Sequence, residues 1–241
     1  MPENIPPELV DNRYFFAEGP HGERIGSYSC GIACVAAVRS IQEHGQDPIT
    51  HYKDLLRTFK IFTNNRSVTE FLVKQAVLSN IGGDGLYHAD LQIPEMETVV
   101  FYGRFPEIKI NREVSLYCPQ QFHCRGTDAL IVRFDVRSRI CYMFPLLITL
   151  GPRKDQSDPE AMFFNEWPRW IRDLTGFEIE VQFLRVVESG PSLNVHCEGK
   201  PCTSTSGRRF LTPSYRRWQI PLEDISEDIW DWLNHANNEC Y

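Results

Sequence analysis

Six residues with zinc-binding side chains are candidates for one metal site. They are Cys118, His123, Cys124, His196, Cys197 and Cys202. Thiolates and imidazoles are the usual ligands of structural zinc, and paired ligands usually stand about two to four residues apart. Five residues separate the first two of these cysteines, and four separate the last two. Because these spacings are at or beyond the edge of that range, the sequence leaves open a zinc site or free thiols in loops.

Two groups of arginines are candidates for binding phosphate. One group lies on a predicted hairpin, and the other surrounds Tyr215 and Trp218. The seven residues are Arg133, Arg137, Arg139, Arg208, Arg209, Arg216 and Arg217. Guanidinium groups bind phosphates and aromatic rings stack on bases, so this pattern predicts a nucleic-acid-binding surface. The alternative is a solvated basic face that balances an acidic chain.

A possible thiol nucleophile lies near the amino terminus. Residues 29–34 read SCGIAC and stand at the start of a predicted helix, whose N-terminus would lower the pKa of the Cys30 thiol. The segment is similar to the nucleophile segment of papain-like cysteine peptidases. Such a nucleophile needs a histidine, and His88, His123 and His196 are available downstream. None of them lies in a peptidase motif, and a packing helix of small residues explains the segment equally well.

Hydrophobic periodicity predicts the elements that would position these residues. Helices are expected over residues 26–44, 51–61, 67–81, 160–174 and 221–237. Ser67 and Glu70 have the spacing of a capping box, and Gly82 with Gly83 is expected to end that helix. Strands are expected over residues 98–102, 113–118, 128–134, 140–150 and 177–187. A polar turn of hairpin length joins residues 128–134 to residues 140–150, so these two strands are expected to pair antiparallel.

The order of these elements predicts an α/β fold. A helix leads into a strand meander with a central hairpin, and a right-handed crossover helix then leads to one more strand. We expect one domain over residues 1–241. It would consist of a helical extension (1–60), a core (61–190), and a loop followed by an amphipathic helix (191–241).

This order resembles the core of the restriction-endonuclease-like, PD-(D/E)xK superfamily. Four short segments strengthen the resemblance. They are GTDALI (126–131), YMFPLLIT (142–149), FFNEW (163–167) and FEIEVQFL (177–184). Together with the helix SVTEFLVKQAVL (67–78), they look like the carboxy-terminal nuclease-like domain of fungal Crinkler and retrotransposon-hot-spot-type proteins. The resemblance implies an intracellular effector or toxin that acts on or near nucleic acid.

The resemblance also implies a metal-dependent nuclease site. Asp128 stands at the place of the first acid, Leu147 where relatives carry a glutamine or acid, and Thr149 where the superfamily has its lysine. An acid that relatives often place in the first helix would fall near Lys74, and Glu70, one turn earlier, is the possible substitute. The implied catalytic residues are therefore Asp128, Glu70 and Thr149, with Mg²⁺ or Mn²⁺ on Asp128 and Glu70 if the site is active. Because two of the usual groups are missing, weakened or lost cleavage is expected.

Each of these three residues also has a structural interpretation. Asp128 would cap a turn before a buried strand, Glu70 would complete the capping box, and Thr149 would be an ordinary strand residue. The alternatives for the whole chain are accordingly a non-catalytic interaction scaffold on the same fold and a papain-like cysteine peptidase that uses Cys30. The expected partners are nucleic acid or a protein, and the oligomeric state is left open.

Composition limits the cellular setting and the classes of partner. The chain has 241 residues and a formal net charge of −7, which argues against a basic surface that wraps duplex DNA. Residues 1–12 lack the basic and apolar regions of a signal peptide, and no apolar run approaches the roughly 20 residues that span a bilayer. We therefore expect an intracellular protein of cytoplasm or nucleus, without membrane insertion, whose eight cysteines are reduced.

Overall fold

The computed structural model describes residues 14–18, 24–29, 66–101, 105–119, 127–151, 158–203, 207 and 209–238. The chain divides into two compact units, Met1–Val77 with Asp231–Tyr241, and Leu78–Trp230. The first unit contains an antiparallel pair of strands, β1 (Tyr14–Glu18) and β2 (Arg24–Ser29). No helix in the described part of the chain is long and apolar enough to cross a membrane.

The predicted start of the helix over residues 26–44 is wrong. Residues 26–29 belong to β2, where Tyr28 pairs with Phe15 and Ser27 with Phe16. This pairing is made with another segment of the chain, and helical periodicity within residues 26–44 gives no sign of it. The rest of that predicted helix, from residue 30 onward, and the one over residues 51–61 lie outside the described residues.

The first long helix, α1 (Arg66–Asp84), begins one residue before the predicted cap Ser67 and ends later than predicted. Gly82 and Gly83 lie within it, and the end comes at Gly85, which has a φ of +80°. The N–H of Gly85 donates to the carbonyl oxygen of Ile81 at 3.0 Å. A glycine in the left-handed region just past the last turn is a common way to end a helix, because it has no Cβ to clash.

Replacing Gly85 with alanine is expected to lower the free energy of unfolding by about 1–2 kcal/mol, since an L-residue is strained in the left-handed region. A Cβ on Gly85 would also lie 2.5 Å from the carbonyl oxygen of Ile93. The matched control is Gly83→Ala, where a Cβ meets nothing within 4 Å. Because alanine favours a helix, the control is expected to be neutral or stabilising. Urea unfolding measures both changes, and equal stability of the two variants would contradict this account.

The second unit is built on one seven-stranded sheet. Along the chain its strands are β5 (Glu97–Phe101), β6 (Val114–Pro119), β7 (Ala129–Asp135), β8 (Ile140–Thr149), β9 (Glu178–Val187), β10 (Leu193–Cys197) and β13 (Tyr215–Pro221). Their order in space is β10-β13-β9-β8-β7-β6-β5. Two smaller antiparallel pairs accompany it, β3 (Leu86–His88) with β4 (Leu91–Ile93) and β11 (Pro201–Thr203) with β12 (Arg209–Leu211).

The predicted hairpin and the strand after the crossover are confirmed. Strands β7 and β8 pair antiparallel, with Ile131 opposite Phe144, and β9 runs parallel to β8, with Val181 beside Met143. A parallel neighbour requires a crossover connection, and the helical residues between β8 and β9 provide it. The strands expected over residues 98–102 and 113–118 correspond to β5 and β6.

The crossover contains two short helices instead of the single helix predicted over residues 160–174. They are α2 (Pro159–Asn165) and α3 (Trp167–Trp170), and they meet at Glu166. Pro168 explains the break, because a proline has no N–H for the helical ladder and its ring clashes with the preceding turn. Asp158 caps α2, since its Oδ1 accepts from the backbone N–H of Glu160 at 3.0 Å.

An aromatic core holds the crossover against one face of the sheet. Phe163 is fully buried, with its ring stacked on that of Trp170 at a centroid distance of 5.1 Å and edge-to-face with Phe183 at 5.3 Å. Strands β7, β8 and β9 supply further members of this core, among them Val132, Met143 and Val181. The aromatic stripe seen in the sequence is therefore the buried side of the crossover.

The end of the second unit contains strands where the sequence predicted a loop. Strand β13 runs parallel to β9 inside the large sheet, and β10 pairs with its other side. The prediction failed because adjacent Arg216 and Arg217 interrupt the alternation of apolar side chains in β13. The helix expected over residues 221–237 is also divided at Ser226, into α4 (Leu222–Ile225) and α5 (Glu227–Asn238).

Candidate functional site

Asp128 lies at the mouth of the central hairpin, directly before β7. Its backbone N–H donates to the carbonyl oxygen of Leu146 at 2.7 Å. Its carboxylate Oδ2 accepts from the backbone N–H of Ile148, also at 2.7 Å. The half-buried side chain therefore extends the hydrogen bonding between the two strands beyond their regular pairing, which begins at Ala129 and Leu146. This contact joins Asp128 to the opposite strand, whereas the structural interpretation of its position in the sequence was the cap of a turn.

The hairpin brings together three of the positions named by the resemblance. Asp128 directly precedes Ala129, whose partner is Leu146, so Asp128 lies beside the segment that contains Leu147. Thr149 follows two residues later on β8, and Leu147 and Thr149 are both half-buried. Because side chains alternate along a strand, Leu147 and Thr149 share one face of the sheet. An aliphatic group and a hydroxyl thus stand where relatives are expected to have a carboxylate and an ammonium.

Glu70 lies in α1 and pairs with Lys74 one turn later, at 3.2 Å. This i,i+4 pair is an ordinary interaction along the surface of a helix. Glu70 belongs to the first compact unit and Asp128 to the second. The prediction that the two residues share a metal ion stays a prediction.

The binding of a metal ion by Asp128 stays a prediction. Divalent metals in phosphodiester hydrolysis need several oxygen ligands, usually from more than one carboxylate. The carboxylate of Asp128 already accepts the N–H of Ile148, and Leu147 has no ligand atom. Within the ranges that the structure describes, no three His, Cys, Asp or Glu residues form a group that could hold a metal ion.

The candidate zinc ligands lie on different elements. Cys118 is on β6, His196 and Cys197 are on β10, and Cys202 is on β11. The thiol of Cys202 donates to Oδ1 of Asn165 at 3.2 Å. Burial raises the pKa of Cys118 to about 12. His123 and Cys124, the other two candidates, lie outside the described residues.

The arginines of the hairpin have different surroundings. The guanidinium of Arg133 lies over the ring of Tyr142, 4.6 Å from its centroid, and its Nη1 donates to the carbonyl oxygen of Gln92 at 3.1 Å. Arg137 and Arg139 are exposed in the turn between β7 and β8. Arg133 therefore packs and positions neighbouring strands, while the two turn arginines face solvent.

The arginines of the second group also differ in their exposure to solvent. Arg216 and Arg217 are neighbours on β13, so they face opposite sides of the sheet. Arg209 and Arg216 are exposed, whereas Arg217 is half-buried in an ion pair. Arg208 lies outside the described residues. Among the described residues of this group, Arg209 and Arg216 are exposed and remain candidates for contact with phosphate.

The ion pair of Arg217 is made with Glu160, a residue that the sequence did not single out. The guanidinium of Arg217 donates through Nε and Nη2 to the two carboxylate oxygens of Glu160, and the hydroxyl of Tyr215 donates to Oε2 at 2.5 Å. The hydrogen bond to Glu160 raises the pKa of Arg217, and burial followed by the bond to Glu160 raises that of Tyr215. In the sequence, the available signal for this ion pair was an acid at the start of a predicted helix together with the arginine-rich segment that contains Arg217.

The peptidase hypothesis is not tested by the geometry of Cys30, which lies outside the described residues. One of its proposed partners, His88, is bound elsewhere. Its Nε2 lies 2.6 Å from Oγ of Ser192, and its Nδ1 lies 3.5 Å from a carboxylate oxygen of Asp224. His196, another proposed partner, is exposed on β10.

Comparison of the chain with protein-family models, with curated proteins and with solved structures found no match.

Proposed function

We propose that this protein is a Crinkler-type intracellular effector built on a restriction-endonuclease-like core, and that it binds nucleic acid without cutting it. The observation that supports the proposal is the hairpin of β7 and β8. It carries Asp128 beside the segment of Leu147 and Thr149, the positions of the acid, second ligand and lysine in the superfamily. The parallel placement of β9 after the crossover agrees with the same core.

Loss of cleavage follows from the chemistry of these three positions. In metal-dependent phosphodiester hydrolysis, metal ions and cationic side chains stabilise the charge that develops on the attacking and leaving oxygens. Leu147 offers no lone pair, and Thr149 offers no positive charge. The remaining acid, Asp128, accepts a backbone hydrogen bond from Ile148. This set of residues favours a role in structure over a role in cleavage.

Binding to nucleic acid would use the arginines that face solvent. Arg137 and Arg139 lie in the turn of the hairpin, Arg209 lies on β12 and Arg216 lies on β13. Arginine side chains that contact phosphates release counterions from nucleic acid, so the affinity of such a surface falls steeply as salt rises. The chain is acidic as a whole, which restricts this contact to local patches.

A comparison of cleavage and binding tests the proposal. With Mg²⁺ or Mn²⁺, the wild-type protein is expected to cut plasmid or single-stranded DNA no faster than Asp128→Ala and Asp128→Asn. The asparagine variant is the matched control, because its amide oxygen still accepts the N–H of Ile148 while the charge is removed. In fluorescence polarisation, the wild type is expected to bind labelled single strands with an affinity that weakens as salt rises.

Two results would contradict the proposal. Rapid turnover by the wild type that is lost in Asp128→Asn would show an active metal site. Absence of nucleic-acid binding at low salt, with the protein folded, would favour the alternative of a protein-interaction scaffold on the same fold. Replacing exposed Arg216 with alanine should weaken binding, whereas replacing Arg133, which packs on Tyr142, should chiefly change stability.

A further inference from the structure

A serine, a histidine and an aspartate from three separate elements meet in the second unit. His88 ends β3, Ser192 lies in the loop between β9 and β10, and Asp224 lies in α4. Nε2 of His88 is 2.6 Å from Oγ of Ser192, and Nδ1 is 3.5 Å from Oδ2 of Asp224. Opposite nitrogens of one imidazole thus face a hydroxyl and a carboxylate.

The imidazole is fixed in a shielded position. The side chain of His88 is only 10% exposed, and its ring meets the edge of Trp218 at a centroid distance of 6.5 Å and an interplanar angle of 85°. Trp218 is itself buried and held by a hydrogen bond from its Nε1 to Oε1 of Gln182 at 3.0 Å. The orientation of the ring is therefore determined by packing as well as by its polar partners.

The loop that carries Ser192 is anchored to the sheet. Nε2 of Gln219, on β13, donates to the carbonyl oxygen of Pro191 at 3.0 Å. Ser192 follows Pro191 directly and is exposed to solvent. The hydroxyl is thus both accessible from outside and held within hydrogen-bonding distance of a nearly buried base.

We propose that Ser192, His88 and Asp224 form a nucleophile, a general base and a positioning carboxylate for acyl transfer from esters. A carboxylate beside Nδ1 favours the tautomer in which Nδ1 carries the proton, which leaves Nε2 free to accept the proton of the serine hydroxyl. This is the relative arrangement that activates a serine on unrelated folds, and it is recognised by geometry and not by position in the chain.

The reaction needs no reactant other than the ester and water. Oγ of Ser192 bonds to the carbonyl carbon of the ester while its proton moves to Nε2 of His88. Nε2 then gives that proton to the departing alcohol oxygen as the ester C–O bond breaks, which leaves an acyl group on Ser192. Water then gives a proton to Nε2 as its oxygen bonds to the acyl carbon. Nε2 returns that proton to Oγ of Ser192 as the acyl C–Oγ bond breaks, which releases the carboxylic acid and restores the serine hydroxyl.

The class of substrate depends on what can reach the nucleophile. Ser192 is exposed to solvent, and the side chain of His88 is 10% exposed. A small, activated ester can reach such a hydroxyl without entering a cavity. We therefore expect short-chain activated esters to be accepted at this open surface.

The test uses the purified full-length chain with a fluorophosphonate probe and with p-nitrophenyl butyrate. The probe is expected to add once per chain, on the peptide that contains Ser192, and Ser192→Ala should abolish both labelling and hydrolysis. His88→Gln should slow both by on the order of 10²-fold or more, since it removes the general base. The matched control is Ser189→Ala, an exposed serine of the same loop, which should behave as wild type.

The role of Asp224 is read from the pH profile. A general base acts only in its unprotonated form, so hydrolysis by the wild type should rise with pH and then level off. Asp224→Asn should lower the rate and displace that profile, an effect that a purely structural aspartate would not have. An unlabelled wild type with a native circular dichroism spectrum, or full labelling of Ser192→Ala, would overturn the proposal. An unchanged profile in Asp224→Asn would overturn the assignment of that residue.

Discussion

Replacing Phe163 with alanine is expected to lower the free energy of unfolding by about 3–5 kcal/mol, the usual cost of removing a buried phenylalanine ring. Phe163 is fully buried and joins the crossover to the sheet through Trp170 on one side and Phe183 on the other. Its removal leaves a cavity between two layers that meet mainly through aromatic contacts. The decrease in stability therefore combines the lost transfer free energy of the ring with the lost packing around the cavity.

Two controls accompany this measurement in denaturant unfolding. Phe163→Leu keeps most of the apolar volume and is expected to cost less than the alanine change. Tyr87→Ala removes an aromatic ring that is 61% exposed, and it is expected to change stability by no more than about 0.5 kcal/mol. If Phe163→Ala were as stable as Tyr87→Ala, the aromatic layer would not be the main attachment of the crossover.

The second large effect is expected at Glu160, where alanine should lower the free energy of unfolding by about 1–3 kcal/mol. The carboxylate accepts two hydrogen bonds from Arg217 and one from Tyr215. Its side chain is only 13% exposed, and its removal leaves the hydroxyl of buried Tyr215 without its partner, whereas the side chain of Arg217 is 40% exposed and its charge is screened by water. Since α2 carries Glu160 and β13 carries the other two residues, the pairing ties the crossover to a distant strand.

A double-mutant cycle separates the ion pair from its surroundings. Arg217→Met keeps the aliphatic stem but removes the charge, so in the Arg217→Met background Glu160→Ala should cost less than in the wild type. Glu180→Ala is the matched control, because Glu180 is an exposed glutamate on β9. Equal costs of Glu160→Ala in the two backgrounds would show that the pair contributes nothing beyond the separate side chains.

Local sequence signals were sufficient to predict the hairpin at the centre of the sheet. The hairpin of β7 and β8 could be predicted because two apolar runs are joined by a short polar turn, and residues close in sequence make all the contacts. Strands β10 and β13 could not be predicted in the same way. Their partners are set by pairing over long sequence separations, and the two adjacent arginines of β13 conceal its alternation.

The candidate sites also differ in how far apart their residues lie in the sequence. The neighbourhood of Asp128, Leu147 and Thr149 follows from the register of one hairpin, and the pairing of its two strands could be expected from two apolar runs joined by a short polar turn. Glu160 meets Arg217 over 57 positions, and His88 meets Ser192 over 104. Such contacts depend on how α2, β3 and the loop after β9 are placed by the whole sheet, which periodicity within a segment does not report.

The position of β13 between β9 and β10 has a consequence for synthesis of the chain. Strand β9 ends at Val187, yet its neighbour β13 is complete only at Pro221, 34 residues later, which takes roughly 2–7 seconds at typical ribosomal rates of about 5–20 residues per second. During that interval one edge of an apolar strand has no pairing partner from its own chain. An unpaired edge of an apolar strand can pair with another chain, so nascent chains on neighbouring ribosomes are prone to associate until β13 has emerged.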